Sequence, residues 1–156
     1  MIAKAREKYS GEKVGFRKWD LNSKWNLEKV SADLITCHPV LEHIKDLGSV
    51  FYQATDTLKP EGLFFISELN LLKQYPGRKA RFDVNGETKE LETFTHYKSE
   101  YLTTATKHGF TLVVFNKWFD ESAEASVPQL IGIPLKKTSD ISQGVDLTWR
   151  ESDACC

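Results

Sequence analysis

The residues best able to carry acid–base, nucleophilic or metal chemistry in this 156-residue chain are four histidines and three cysteines, and most of them gather in a few places. Cys37-His38 close the short apolar run Ala32–Cys37, and Glu42-His43 follow shortly after. Histidine titrates near neutrality, so Glu42-His43 invite a general-base or metal-ligand reading. Neighbouring residues on a helix point about 100° apart, however, which makes the pair a poor chelate. Packing or hydrogen bonding is the expected work of both, and no metal site is expected. His96-Tyr97 stand just before a stretch of helical spacing. A base there would deprotonate an oxygen or nitrogen nucleophile; the competing reading is a helix-entry pair with Tyr97 half-buried. His108 beside Gly109 reads as favourable charge at a helix C-terminus. Cys37, Cys155 and Cys156 make neither a disulfide framework nor a spaced metal motif. The terminal pair is no prenylation box, because the fourth position from the end is Asp153.

These groups must be positioned by an alternation of helices and strands. Ile2, Ala5 and Tyr9 fall at helical spacing, predicting a short helix that stops near Ser10-Gly11. Val14–Trp19 reads as a strand, followed by a polar loop opening at Asp20. Ala32–Cys37 reads as a strand buried on both faces. Leu47, Val50, Phe51, Ala54 and Leu58 define an amphipathic helix opened by Asp46 and closed before Pro60. Leu63–Ser67 is a further apolar strand, and residues 70–90 form a polar excursion. Within it, Asn85-Gly86 turns a small hairpin between residues 81–84 and 91–94. A second helix runs from Ser99 to His108, with Gly109 in the stop position. Phe110–Trp118 and Leu130–Leu135 are the last strands, joined by an acidic loop at 120–126. Such an order predicts an α/β layer with a largely parallel sheet and an antiparallel ending. Residues 1–137 form the domain, and 138–156 read as a weakly ordered tail.

Bulk composition narrows the function classes. A net charge of −1 argues against electrostatically driven nucleic-acid binding. No apolar run approaches the roughly 18–20 residues that span a bilayer, and the first residues lack a signal-peptide core. A cytoplasmic protein acting on a small molecule is the expectation. Trp19, Trp25 and Trp118 are expected in the core or lining a pocket, not as base-stacking platforms.

Several phrases in order carry a family resemblance. Val40-Leu-Glu-His-Ile-Lys-Asp46, Leu58-Lys-Pro-Glu-Gly-Leu63, Thr95-His-Tyr-Lys-Ser-Glu-Tyr-Leu102 and Lys107-His-Gly-Phe110 resemble the second half of class I S-adenosylmethionine-dependent methyltransferases, of the ubiquinone-biosynthesis type. Glu61 stands where the family's Leu-Lys-Pro-Gly-Gly turn has its first glycine. That family has a Rossmann-like sheet in the order 3-2-1-4-5-7-6, strand 7 antiparallel. The resemblance implies a partial sheet here, with Val14–Trp19 as strand 3, Ala32–Cys37 as strand 4 and Leu63–Ser67 as strand 5. Phe110–Trp118 and Leu130–Leu135 would be strands 6 and 7. It implies methyl transfer from S-adenosylmethionine to a small-molecule acceptor on oxygen, nitrogen or carbon. Asp20 and Leu21 would meet the adenine, Cys37 and His38 the methionine part, and His43, His96 and Tyr97 are the weaker catalytic candidates.

The glycine-rich loop and the strands around it are absent from these 156 residues. The expectation is therefore a truncated methyltransferase domain with weakened cofactor affinity. Ala32–Cys37 would be an exposed apolar edge, open to pairing with a second copy. A non-catalytic remnant acting as a binding module is the rival from another class. An unrelated nucleotide binder is disfavoured for want of a phosphate-cradling loop.

Overall fold

In the computed structural model, residues 2–9, 11, 13–70, 81–84, 87–119 and 128–139 are described. The element order is α1 (Ile2–Lys8), β1 (Ala32–Cys37), a 3-10 turn (Leu41–His43), α2 (Leu47–Thr57), β2 (Leu58–Leu69), β3 (Arg81–Val84), β4 (Glu87–Glu90), α3 (Lys98–Lys107), β5 (Phe110–Leu112), β6 (Asn116–Trp118) and β7 (Leu130–Lys137). The tail expected after Lys137 lies almost wholly outside the described residues.

The main sheet runs β1-β2-β7-β5, with β6 also on β7. β1 and β2 are parallel; β7 is antiparallel to β2, β5 and β6. This is the mixed, partly Rossmann-like sheet that the alternation of elements predicts. Its central strand, β2, pairs on both sides, so its apolar run Phe64-Phe65-Ile66 sits in the middle of the sheet.

α2 forms because Leu47, Val50, Phe51 and Ala54 make one buried stripe. Asp46 caps its start by accepting the Gly48 N–H at 2.9 Å. The chain passes straight from Thr57 into β2, and Pro60 prevents further helix. Both α2 and α3 pack on one face of the sheet. There Phe51 meets Phe64 edge-on at 5.4 Å and Phe110 at 6.0 Å, over Ile66, Ile133 and Leu135. Each fully buried side chain of this size contributes about 1.5–3 kcal/mol. At the rim of this core the Lys137 ammonium donates to the carbonyls of Thr55 and Leu58, both at 2.6 Å.

The opposite face is thinly covered. Leu34 and its register partner Leu63 are 55% and 40% exposed, and Trp118 lies edge-on to Phe65 at 6.2 Å on the same side. β1 is thus a half-exposed edge strand, not one buried on both faces. Its flank away from β2 has no partner strand among the described residues.

Three further expectations are corrected. Val14–Trp19 is irregular backbone, not a strand, so the sheet lacks the first of its expected strands. Strand conformation needs a ladder, and no neighbouring strand is there to supply one. Phe110–Trp118 is not one strand but two, β5 and β6, separated by Val113–Phe115, although Val113 still donates to the Pro134 carbonyl at 2.9 Å. Arg81–Val84 pairs with Glu87–Glu90, not with 91–94, because Val84 opposite Glu87 leaves only a two-residue connection. Leu63–Ser67, Leu130–Leu135 and the second helix hold their expected places, with longer or shifted ends.

Candidate functional site

The carboxyl end of β1 meets the loop that precedes it. Loop residues Trp19, Leu21 and Trp25 and sheet residues Ile35, Cys37 and Phe64 wall a cleft of about 220 Å³ that is almost entirely apolar. The loop is tied down through α2: the backbone N–H of Trp25 donates to the Gln53 side-chain carbonyl, and Gln53 Nε2 donates to Ser23 O at 3.4 Å. Gln53 therefore fixes the distance between loop and sheet, and with it the width of the slot.

Two of the four expected cofactor residues, Leu21 and Cys37, face each other in this cleft. Asp20 lies between the lining residues Trp19 and Leu21 but is exposed. Its Oδ1 accepts from the Asn22 backbone N–H at 3.0 Å and from Asn22 Nδ2 at 3.2 Å, so one carboxylate oxygen serves its own turn. His38 is exposed on the rim. The Cys37 thiol is 8% exposed, and burial together with the nearby Glu68 charge pushes it up to about 12. It stays a neutral thiol at physiological pH.

The histidine candidates are placed apart from this cleft. His43 Nδ1 donates to the Glu92 carbonyl at 3.0 Å, and its Nε2 stands 3.5 Å from Glu42 Oε1. The Phe94 N–H donates to the Glu42 carbonyl at 2.7 Å, so this pair tethers the segment before α3. His96 Nε2 donates to the Ile44 carbonyl at 2.7 Å, and its ring sits edge-on to Tyr101 at 5.9 Å. Tyr97 is half exposed, and its N–H donates to Glu100 Oε2 at 2.5 Å at the start of α3. His108 Nδ1 donates to the Thr104 carbonyl at 2.8 Å, which is the helix-terminal role its neighbour Gly109 suggests. Among the described residues no group of three or more His, Cys, Asp or Glu is placed to hold a metal ion.

One residue was not singled out from the sequence. Glu68, 3% exposed near the end of β2, accepts the N–H groups of Val40 and Leu41 on Oε1 at 3.0 and 2.9 Å. This carboxylate holds the turn that leads away from Cys37-His38. Burial raises its proton affinity, and the two backbone N–H groups only partly offset that. Tyr101 is 4% exposed, and burial together with Glu68, Cys37 and Glu42 keeps its phenol protonated far above neutrality. The available signal was a carboxylate in line with the buried run Phe64-Phe65-Ile66-Ser67.

An apolar, aromatic-walled slot of this size suits a flat heteroaromatic ring, and its one polar neighbour is the Asp20 turn. None of its lining residues is charged, so it offers no carboxylate to a ribose.

Comparison with known proteins agrees with this arrangement. A family model described as "Methyltransferase domain" matches residues 1–66. A ubiquinone biosynthesis O-methyltransferase from Colwellia psychrerythraea is 32% identical over 69 residues, covering 44% of this chain and 28% of that protein. The matched stretch is thus under a third of the relative's length. Among solved structures, a proposed S-adenosylmethionine-dependent methyltransferase from Listeria monocytogenes superposes with a TM-score of 0.75 at 15% identity, over 88% of this chain and 76% of the other. An S-adenosylmethionine-dependent methyltransferase from Mesorhizobium loti gives 0.70 at 18% identity, over 88% and 76%.

Proposed function

We infer that this chain, a class I S-adenosylmethionine-dependent methyltransferase by its fold and by its match over residues 1–66, serves methyl transfer to a small-molecule acceptor. The observation that carries this reading is the apolar cleft at the carboxyl end of β1, where Leu21 and Cys37 converge. In open α/β sheets, ligands bind beyond the carboxyl ends of the parallel strands.

The residues present fit the adenine end of the cofactor. Trp19, Leu21 and Trp25 supply a flat apolar wall, and the Asp20 turn supplies polar atoms at its mouth. His38 and the turn held by Glu68 lie toward the methionine end. When bound, S-adenosylmethionine supplies an electrophilic methyl group, so the protein's share is positioning and exclusion of water. Gln53 holds the loop at its working distance, Glu68 holds the rim, and the buried Cys37 keeps the floor apolar.

Titration of the purified chain with S-adenosylhomocysteine by calorimetry tests this. The expected result is saturable heat that Leu21→Arg abolishes while the variant stays folded by circular dichroism. Absence of heat at millimolar ligand from a folded wild-type chain would refute it.

A further inference from the structure

Glu68 does more than hold a turn. It lies two residues beyond Ile66, the register partner of Cys37, and therefore on the same face of the neighbouring strand. Its Oε1 is taken by two backbone N–H groups, but Oε2 is buried with no hydrogen-bond partner. Together with Phe94, His96 and Tyr101, Glu68 lines a small chamber of about 10 Å³, room for roughly one water-sized polar group. Phe94 and His96 also line an open groove of about 690 Å³ on the other side, so one wall is common to both spaces.

The titratable groups around the Glu68 carboxyl come from every element packed there: Cys37 from β1, His38 from the rim, Glu42 from the 3-10 turn, His96 from the segment before α3, and Tyr101 from α3. An orphaned buried oxygen costs stability, and a glutamine would accept the same two N–H groups without an ionisable oxygen. A carboxyl kept in such a place is suited to gain and lose a proton.

We propose that Glu68 Oε2 is the proton acceptor for an acceptor molecule bearing a phenol-type hydroxyl, whose O–H is presented to the chamber. This rests on the methyl-transfer reading. The acceptor's O–H bond breaks and the proton goes to Oε2. The electron pair left on oxygen forms the new O–CH3 bond, and the pair of the donor's carbon–sulfur bond departs on sulfur. Carboxylate becomes carboxylic acid, sulfonium becomes thioether, and charge is conserved. The chamber admits only the reacting hydroxyl; the body of the acceptor stays outside it.

The test uses the whole chain labelled with carbon-13 at glutamate side-chain carboxyls, with the Glu68 signal identified by its loss in Glu68→Gln. The chain is titrated with pH alone, with phenol, and with anisole, which has the same ring but no O–H. Phenol is expected to move the Glu68 midpoint to lower pH, since a donor to the carboxylate favours its charged form. Anisole is expected to leave it in place. Equal responses to both probes, or none to either, would overturn the proposal. S-adenosylhomocysteine titration of the same sample separates the two claims. Cofactor binding with a Glu68 that ignores phenol sinks this inference alone. A phenol-specific response without cofactor binding supports the hydroxyl site and sinks the methyl-transfer reading.

Discussion

Lys137→Met removes an ammonium while keeping most of the side chain's length and apolar stem. In the wild-type chain that ammonium donates to the carbonyls of Thr55 and Leu58 at 2.6 Å each, from a residue only 9% exposed. α2 carries no basic residue in its own last turn, so a cation reaching in from β7 supplies the charge that complements the helix C-terminus. A hydrogen bond from a charged group contributes about 1.5–3 kcal/mol, and a cation at a partly buried helix end up to about 2 kcal/mol. The same two contacts carry both effects, so they do not add, and relief of the buried ammonium offsets part of the loss. The net cost is about 3 kcal/mol. For a domain of this size that lowers the melting temperature by roughly 6–12 °C. Urea unfolding followed by tryptophan fluorescence measures it, with Lys136→Met as the control. Lys136 is exposed and pairs only with the exposed Glu61, so its loss costs under about 1 kcal/mol. A Lys137→Met variant within about 0.5 kcal/mol of the control would show that the ammonium does not cap α2.

Three other perturbations follow from local geometry. A Cβ at Gly132 would fall inside the Trp118 ring at Cζ3 and Cη2 and 3.4 Å from Phe65 Cζ, so Gly132→Ala should cost about 1–3 kcal/mol in urea unfolding. Adding Trp118→Ala should cancel most of that cost, and simple additivity of the two changes would contradict the clash. Glu61 sits at φ 65°, the left-handed region that favours glycine, so Glu61→Gly should gain about 1 kcal/mol despite losing the exposed Lys136 pair; destabilisation would refute the strain. Folded Glu68 holds its proton to higher pH than in the unfolded chain, so the folded state binds more protons once pH passes about 4.3. Stability then falls as pH rises, until the folded carboxyl also ionises. Glu68→Gln should gain on wild type from about pH 4 to pH 8, and parallel unfolding free energies across that range would argue against a raised Glu68.

What the sequence disclosed, and what it hid, follow from how local each signal is. α2 was legible because five apolar residues at helical spacing, Asp46 before them and Pro60 after them are all local facts. β2 and β7 were legible because strands paired on both sides read as continuous apolar runs. Val14–Trp19 misled because its composition suits a strand, whereas strand conformation depends on a partner that composition does not report. The break at Val113–Phe115 is likewise decided by pairing with β7. For the site, the resemblance picked out Leu21 and Cys37, which do converge; their contact also needs the Gln53 tether, which local pattern does not reveal. Glu68 and Lys137 were missed because each looks like an ordinary charge near a strand end. Only the fold shows the two backbone N–H groups above one and the helix carbonyls above the other.

The most direct test of the cofactor cleft is a nitrogen-15 amide correlation spectrum of the chain recorded with and without S-adenosylhomocysteine. The structure-based account predicts shifts that saturate and are confined to Trp19–Leu27 and Ile35–His38, with α3 and β7 unmoved. Saturating shifts elsewhere, or none at millimolar ligand in a folded sample, would contradict it.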